Sequence, residues 1–267
     1  MDVMTAGSTV QDWLSRDWQA SALPILAAPM VGSLLGVLIV RLPAGRPVMW
    51  SRSACEACGV RLRPFELLPL LSYAWLKGAC GHCGKPISWF HPAVELAAVA
   101  VAVWATLADP ANAWISCGLG WVLLTLAWID WTDLLLPDVL TLPLLVAGLA
   151  VTWLNQPDLL LDRSMAAIGA YVLFEGVSAG YRRLRGFDGL GGGDTKLIAA
   201  AGAWCGFAAL PLVILCSAIL GLLLTLALAV FVRPMTSTTR IPFGPCIAVA
   251  FWLGWLYSPL LLNLGGF

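Results

Sequence analysis

The chain has 267 residues, 60% of them hydrophobic and only 11% charged, with a formal net charge of zero. Soluble proteins carry about a quarter charged residues. A water-soluble domain of this size has no means of hiding so much apolar surface, so the solvent is lipid, and the absence of net charge argues against nucleic acid as a partner.

Residues 1–20 are polar and slightly acidic and lack the basic start of a secretory signal. The first apolar run, about 21–41, is long enough to span and ends in Arg41, so it reads as a retained first helix rather than a cleaved signal.

Residues 42–91 form the one sizeable hydrophilic segment. It holds "SRSACEACGV" and "GACGHCGKPIS": Cys55-x2-Cys58, a gap of 21 residues, then Cys80-x2-Cys83. Two such thiolate pairs make a tetrahedral structural zinc site. Gly59 and Gly84 follow the pairs and permit the tight turns that a zinc knuckle needs. A loop of about 50 residues has too little core to fold alone, and metal binding supplies the missing free energy. The competing readings are a redox pair or two unrelated disulfides. His82 is a substitute ligand that a full set of four cysteines leaves without a place. His91 reads as a surface or interface residue. Cys117, Cys205, Cys216 and Cys246 lie within spans, as small apolar packing residues.

Seven further spans follow, at about 92–108, 112–130, 135–154, 164–181, 195–209, 211–232 and 243–262. Asp109-Pro110 and Asn155-Gln156-Pro157-Asp158 punctuate as turns, and Pro211 separates the sixth span from the seventh. Arg41, Arg46, Arg52, Arg61, Arg63, Lys77 and Lys85 precede the second span. Arg182, Arg183, Arg185 and Lys196 surround the connection before the sixth, and Arg233 and Arg240 lie before the eighth. Eight spans put all of these on one side and leave only Arg16 and Arg163 for the other, so the first side is cytoplasmic and both termini face away from it. There the thiols stay reduced, which favours metal over disulfides.

The connection "LAWIDWTDLLLPDVLTLP" (126–143) emerges on the cytoplasmic side with Asp130, Asp133 and Asp138. Asp194 opens the sixth span on the same side, after Gly191-Gly192-Gly193. An acid at the bilayer edge is expensive unless it is paired, wet or functional. Two distant carboxylates at one depth suit aspartic proteolysis: the pair shares one proton, one acid activates a water, and the other protonates the leaving group. Thr195 and Lys196 are placed to hold Asp194. Taken alone, a glycine-rich turn before Asp is an ordinary helix start, and Asp133 and Asp138 read as interfacial acids.

Several segments together make the chain resemble the type IV prepilin peptidases, integral-membrane aspartic proteases of the GxGD class. They are "GSLLGVLIVRLP" (32–43), "CEAC" and "CGHC", "LLPLLSYAWLKGAC", "PISWFHPAVEL", "WIDWTDLLLPDVLTLPLLVAGL", "GGGDTKLIAAAGAW" and "PFGPCIAVA". The resemblance implies Asp130 and Asp194 as the catalytic pair. It implies removal of the basic leader of prepilins or type II secretion pseudopilins, after a glycine, at the cytoplasmic face of the inner membrane. It further implies methylation of the new N-terminus with S-adenosylmethionine. Glu66 keeps a family acid. Gly36 stands where the family has Asn, and His91 where it has Tyr.

The expected fold is therefore an all-α polytopic membrane protein of about eight spans. It divides into a polar segment (1–20), a first span (21–41), a cytoplasmic four-cysteine zinc loop (42–91) and a peptidase core (92–267). The expected partners are prepilins or pseudopilins and the lipid bilayer, with no nucleic acid. The alternatives are a proton- or cation-coupled transporter, which requires acids deep in several spans, and a non-catalytic assembly protein that docks through its zinc loop.

Overall fold

The computed structural model describes residues 18–48, 54–55, 57–61, 63, 69–186, 190–231 and 241–264. Arg16, Arg52, Glu66, Asp188, Arg233 and Arg240 lie outside these residues. Among the described residues every regular element is helical, apart from two isolated bridges in the cysteine loop. The helices are α1 (Trp18–Arg41), α2 (Leu71–Trp75), α3 (Phe90–Ala108), α4 (Ala113–Asp133), α5 (Asp138–Asn155), α6 (Leu160–Arg185), α7 (Gly192–Phe231) and α8 (Gly244–Leu264).

Among the described residues, five helices are long and apolar enough to cross a membrane: α1, α3, α4 with its leading turn, α5 and α7. α8 supplies a shorter apolar stretch, Gly244–Tyr257. α6 lies where the fifth span was expected, but it carries Asp162, Arg163, Glu175, Arg182, Arg183 and Arg185.

The packing is that of a protein solvated by hydrocarbon. Leu26, Met30, Leu154, Leu161, Leu222 and Phe231 point outward and exposed, whereas the buried contacts are crowded with alanine: Ala98, Ala102, Ala105, Ala166, Ala199, Ala200 and Ala201. Lipid tails are as apolar as leucine, so helices associate by close approach of small residues rather than by hiding large ones. Gly32 of α1 shows how close: a Cβ there would stand 2.6 Å from Glu95 Cα of α3. Trp204 of α7 lies on Gly148 of α5 and donates its indole N–H to Leu144 O at 2.8 Å.

α7 is interrupted at Gly206 (φ 78°, ψ 179°), a conformation that glycine adopts without a Cβ penalty. The sequence reading placed the break at Pro211. The structure keeps Pro211 helical and breaks five residues earlier, where the Asp162 carboxylate accepts the Phe207 N–H (3.0 Å) and starts the helix afresh. The two arms of α7 run antiparallel. Gly254 of α8 lies beside both Val213 and Cys205, whereas the other end of α8 meets Gly221 through the adjoining Phe243 on one arm and Asp194 through Cys246 on the other. The chain therefore reverses at Gly206, and the start of α8 returns to the level of Asp194.

Candidate active site and metal centre

Three helix ends converge on the acids. α4 stops after Asp133 because Leu134 turns left-handed (φ 53°) and returns its N–H to Asp130 O at 3.0 Å. Asp130 thus sits in the last turn of α4, with 6% of its surface exposed. Its Oδ2 accepts the N–H of Gly244, the first residue of α8, at 2.8 Å. The acid therefore occupies a helix N-terminus, where unpaired N–H groups favour a carboxylate. Gly244 leaves no room to spare: a Cβ there would meet Asp130 Oδ2 at 2.7 Å.

Asp194 is at the third position of α7 and folds back to accept the N–H of Gly191, as the acid of a capping box does. Gly193 is pressed against Leu136 of the α4–α5 connection, where a Cβ would come within 2.7 Å of Leu136 Cβ. The Asp130 and Asp194 carboxylates lie within electrostatic reach of each other, and both reach Cys246 in the first turn of α8. An acid pair where three helix ends meet can share one proton, activate a water and protonate a leaving group.

The other acids of the cluster are elsewhere. Asp133 is exposed and accepts from Thr132 at 2.6 Å. Asp138 opens α5 and pairs with Lys196 Nζ at 2.6 and 2.8 Å. Lys196 therefore holds Asp138 rather than Asp194, against the sequence reading. Thr195 is fully buried and its Oγ1 has no hydrogen-bond partner, so it does not hold Asp194 either. Cys246, read as packing, is a neighbour of both acids, and Gly244 was not singled out. The "PFGP" run was the available signal: a glycine between prolines at the start of an apolar stretch marks a helix end that must pass close to something.

The cysteine loop contains two knuckles of the same design. Cys55 O accepts from Gly59 N and Cys80 O from Gly84 N, at 2.8 and 2.9 Å, with Gly59 and Gly84 both left-handed (φ 71° and 69°). Antiparallel bridges Ala54–Arg61 and Ala79–Pro86 close each turn. The Sγ atoms of Cys55, Cys58, Cys80 and Cys83 all lie within 4.8 Å of one another. A tetrahedron with metal–sulfur bonds near 2.3 Å has edges of about 3.8 Å, and the Cys55–Cys83 separation is 4.0 Å. The N–H groups of Cys58 and Ala57 point at the Cys55 sulfur and hold its thiol below the ordinary range, at about 6, which favours the thiolate that binds metal. The cluster can hold a metal ion.

Comparison with known proteins covers both regions. The model of the bacterial Peptidase A24 N-terminal domain matches residues 26–108, and that of the type IV leader peptidase family matches residues 117–226. A prepilin leader peptidase/N-methyltransferase of Aeromonas hydrophila is 36% identical over 90% of this chain and 92% of its own length. One from Burkholderia pseudomallei (strain 1026b) is 38% identical over 95% and 80%. One from Dickeya chrysanthemi is 35% identical over 100% and 99%. No solved structure matches the chain significantly.

Proposed function

The chain belongs to the type IV leader peptidase family, and from that premise we propose that Asp130 and Asp194 are the catalytic acids of a membrane endopeptidase that removes the leader of prepilins or pseudopilins. The same chain methylates the N-terminus it exposes, with S-adenosylmethionine as methyl donor. The observation that carries the assignment is the meeting of these two acids, 64 positions apart in sequence numbering, at the joined ends of α4, α7 and α8.

The substrate's apolar helix lies among the spans while its basic leader stays in the cytoplasm, and the Gly-x bond lies beside the pair. The ionised acid takes a proton from water, and the resulting hydroxide attacks the carbonyl carbon. The protonated acid donates to the carbonyl oxygen; the acid that took water's proton then gives it to the departing amine as the C–N bond breaks, while its partner takes back the hydroxyl proton and the carbonyl reforms. The Gly244 and Gly191 N–H groups orient the two carboxylates throughout. The Lys and Arg asymmetry supports an inner-membrane location with the pair facing the cytoplasm. Residues 42–91 are a cytoplasmic zinc loop and 92–267 the peptidase core. Zinc is the ion that suits four thiolates at tetrahedral spacing, held by Cys55, Cys58, Cys80 and Cys83.

A transporter needs acids near the midplane, and both of these stand in terminal turns of their helices. The test is leader removal by Asp130→Asn and Asp194→Asn. Each should lose about 10²–10⁴-fold in rate; near wild-type cleavage by either variant would refute the pair.

A further inference from the structure

We propose that the cavity enclosed by α1, α3 and the cysteine loop is the methyl-donor site, an inference that rests on the methyltransferase reading above. The cavity has a volume of about 520 Å³, within the roughly 300–1,000 Å³ of small-molecule pockets. It is separate from the acid pair, and no residue of the pair lines it.

Its chemistry matches the donor part by part. S-adenosylmethionine carries an ammonium, a carboxylate, a sulfonium and an adenine. The Glu95 carboxylate faces the cavity from α3, is 7% exposed, and is steadied by the Leu70 N–H at 2.8 Å. Lys85 lies on the wall as a cation for the donor's carboxylate, beside Arg41, whose Nη1 donates to Pro47 O and Val48 O at 3.3 and 3.0 Å; the rings of Tyr73 and His91, packed on Trp89 and Phe90, form aromatic wall against which an adenine can lie. A buried carboxylate attracts positive charge, and both the sulfonium and the incoming amine are positive or become so.

The position fits a two-step enzyme. A second, smaller cavity of about 360 Å³ is lined by Val40, Phe90, Thr132 and Asp133 among others. Val40 also lines the donor cavity. Thr132 and Asp133 belong to the turn of α4 that carries Asp130. The two cavities thus adjoin at Val40, and the smaller one reaches the last turn of α4, which carries Asp130. Phe90 stacks edge-on with both Trp128 of α4 and His91, at ring separations of 5.5 and 5.1 Å. Gly36 of α1 and His91 of α3 also meet on this wall: a Cβ on Gly36 would lie 3.5 Å from His91 Nδ1.

The step balances with these groups alone. The lone pair of the new N-terminal amine attacks the donor's methyl carbon. The carbon–sulfur bond breaks with its electron pair kept by sulfur, leaving a neutral thioether. The methylated ammonium gives up one proton, to the Glu95 carboxylate and then to water.

The experiment is equilibrium binding of tritium-labelled S-adenosylmethionine to the full chain in detergent. Melting midpoint and metal content report on folding. Glu95→Gln removes the charge and keeps the acceptor for Leu70; Gly36→Leu fills the cavity. Each should weaken donor binding at least tenfold, while Asp194→Asn should bind as the wild type does. Folded Glu95→Gln and Gly36→Leu proteins that both bind donor normally would overturn the assignment. If the wild-type chain cleaves leader yet binds no donor, the methyltransferase reading fails and the site with it. Should the variants not fold, ultraviolet cross-linking of labelled donor to the wild type decides: label on peptides containing residues 33–41 or 72–95 supports the site, and label confined elsewhere overturns it.

Discussion

Replacing Gly244 with alanine tests whether the Asp130 carboxylate must stand where the start of α8 puts it. The added Cβ would lie 2.7 Å from Oδ2, 2.9 Å from Cγ and 3.0 Å from Cβ of Asp130. Ordinary contact begins near 3.4 Å, so the nearest atom must retreat by about 0.7 Å. Because the obstruction includes the Cβ of the acid, turning the carboxylate about its own bond does not relieve it. Either the whole side chain or the end of α8 must shift, and both separate the acid from the Gly244 N–H. A misplacement of about 1 Å in a catalytic array costs roughly 10²-fold, so leader cleavage should fall roughly 30- to 100-fold. The overpacking itself costs about 1–3 kcal/mol, partly offset because alanine favours helix over glycine by about 1 kcal/mol. The assay is single-turnover cleavage of a synthetic prepilin by purified Gly244→Ala, with melting midpoint measured alongside. A folded variant that cleaves at the wild-type rate would refute the view that this contact positions the acid.

The glycine run before Asp194 should respond unevenly. Gly192 has open space around it and Gly193 is pressed on Leu136, so Gly192→Ala should cleave normally and Gly193→Ala should lose about tenfold or more by the displacement reasoning above; equal behaviour in the same cleavage assay would contradict the geometry. The Lys196–Asp138 pair, at 28% and 55% side-chain exposure, is worth about 0.2–1 kcal/mol after solvent screening. Lys196→Met should therefore lower the melting midpoint by a few degrees or less, with part of the loss restored in a Lys196→Asp, Asp138→Lys exchange; no restoration would mean that the pair contributes nothing through charge. Cys80→Ser, or treatment with a strong chelator, should release bound metal and raise the proteolytic susceptibility of residues 54–88, because the knuckles have no core of their own. Elemental analysis and limited proteolysis check this, and an unchanged loop would remove the structural role of the metal.

The helices and the metal cluster were legible because their signals are local. A block of apolar residues between charged turns marks a rod in lipid whatever surrounds it, and two Cys-x2-Cys pairs followed by glycine carry their geometry within ten residues each. That Asp130 and Asp194 fall at the same end of the bundle was also legible, since it needs only the order of the spans. What escaped was everything decided between rods. Lys196 lies two residues from Asp194 in sequence, yet the turn of a helix carries residue i+2 to another face, and it meets Asp138 on α5. Cys246 looked like filler because nothing in its own stretch discloses that α8 begins against Asp130. Pro211 looked like the break because proline usually is one, but near the start of a new arm it is tolerated, and Gly206 with Asp162 behind it makes the turn. Glu95 drew no notice as one acid in an apolar helix; its meaning comes from Gly32, Leu70 and the cavity around it.

The arrangement of helix ends explains how this fold keeps two acids among apolar helices. A carboxylate there loses much of its hydration, a cost of several kcal/mol unless donors replace the lost water. Asp130 receives the first N–H of α8, and Asp194 receives the N–H that precedes α7. Each acid is thus solvated by backbone groups that would themselves be orphaned at a helix start. That solution requires two N-termini and one C-terminus at the same depth. α4 ends there, and α7 begins there. α8 also begins there only because α7 reverses at Gly206 on the far side, where Asp162 caps the second arm through Phe207 N–H. A side chain at Gly206 would collide with Asp162 Oδ2 at 2.6 Å and would need a left-handed backbone besides. A turn at the opposite end of the bundle from the acids is therefore a condition for bringing Gly244 to Asp130, which couples the meeting of the two acids to a residue that touches neither.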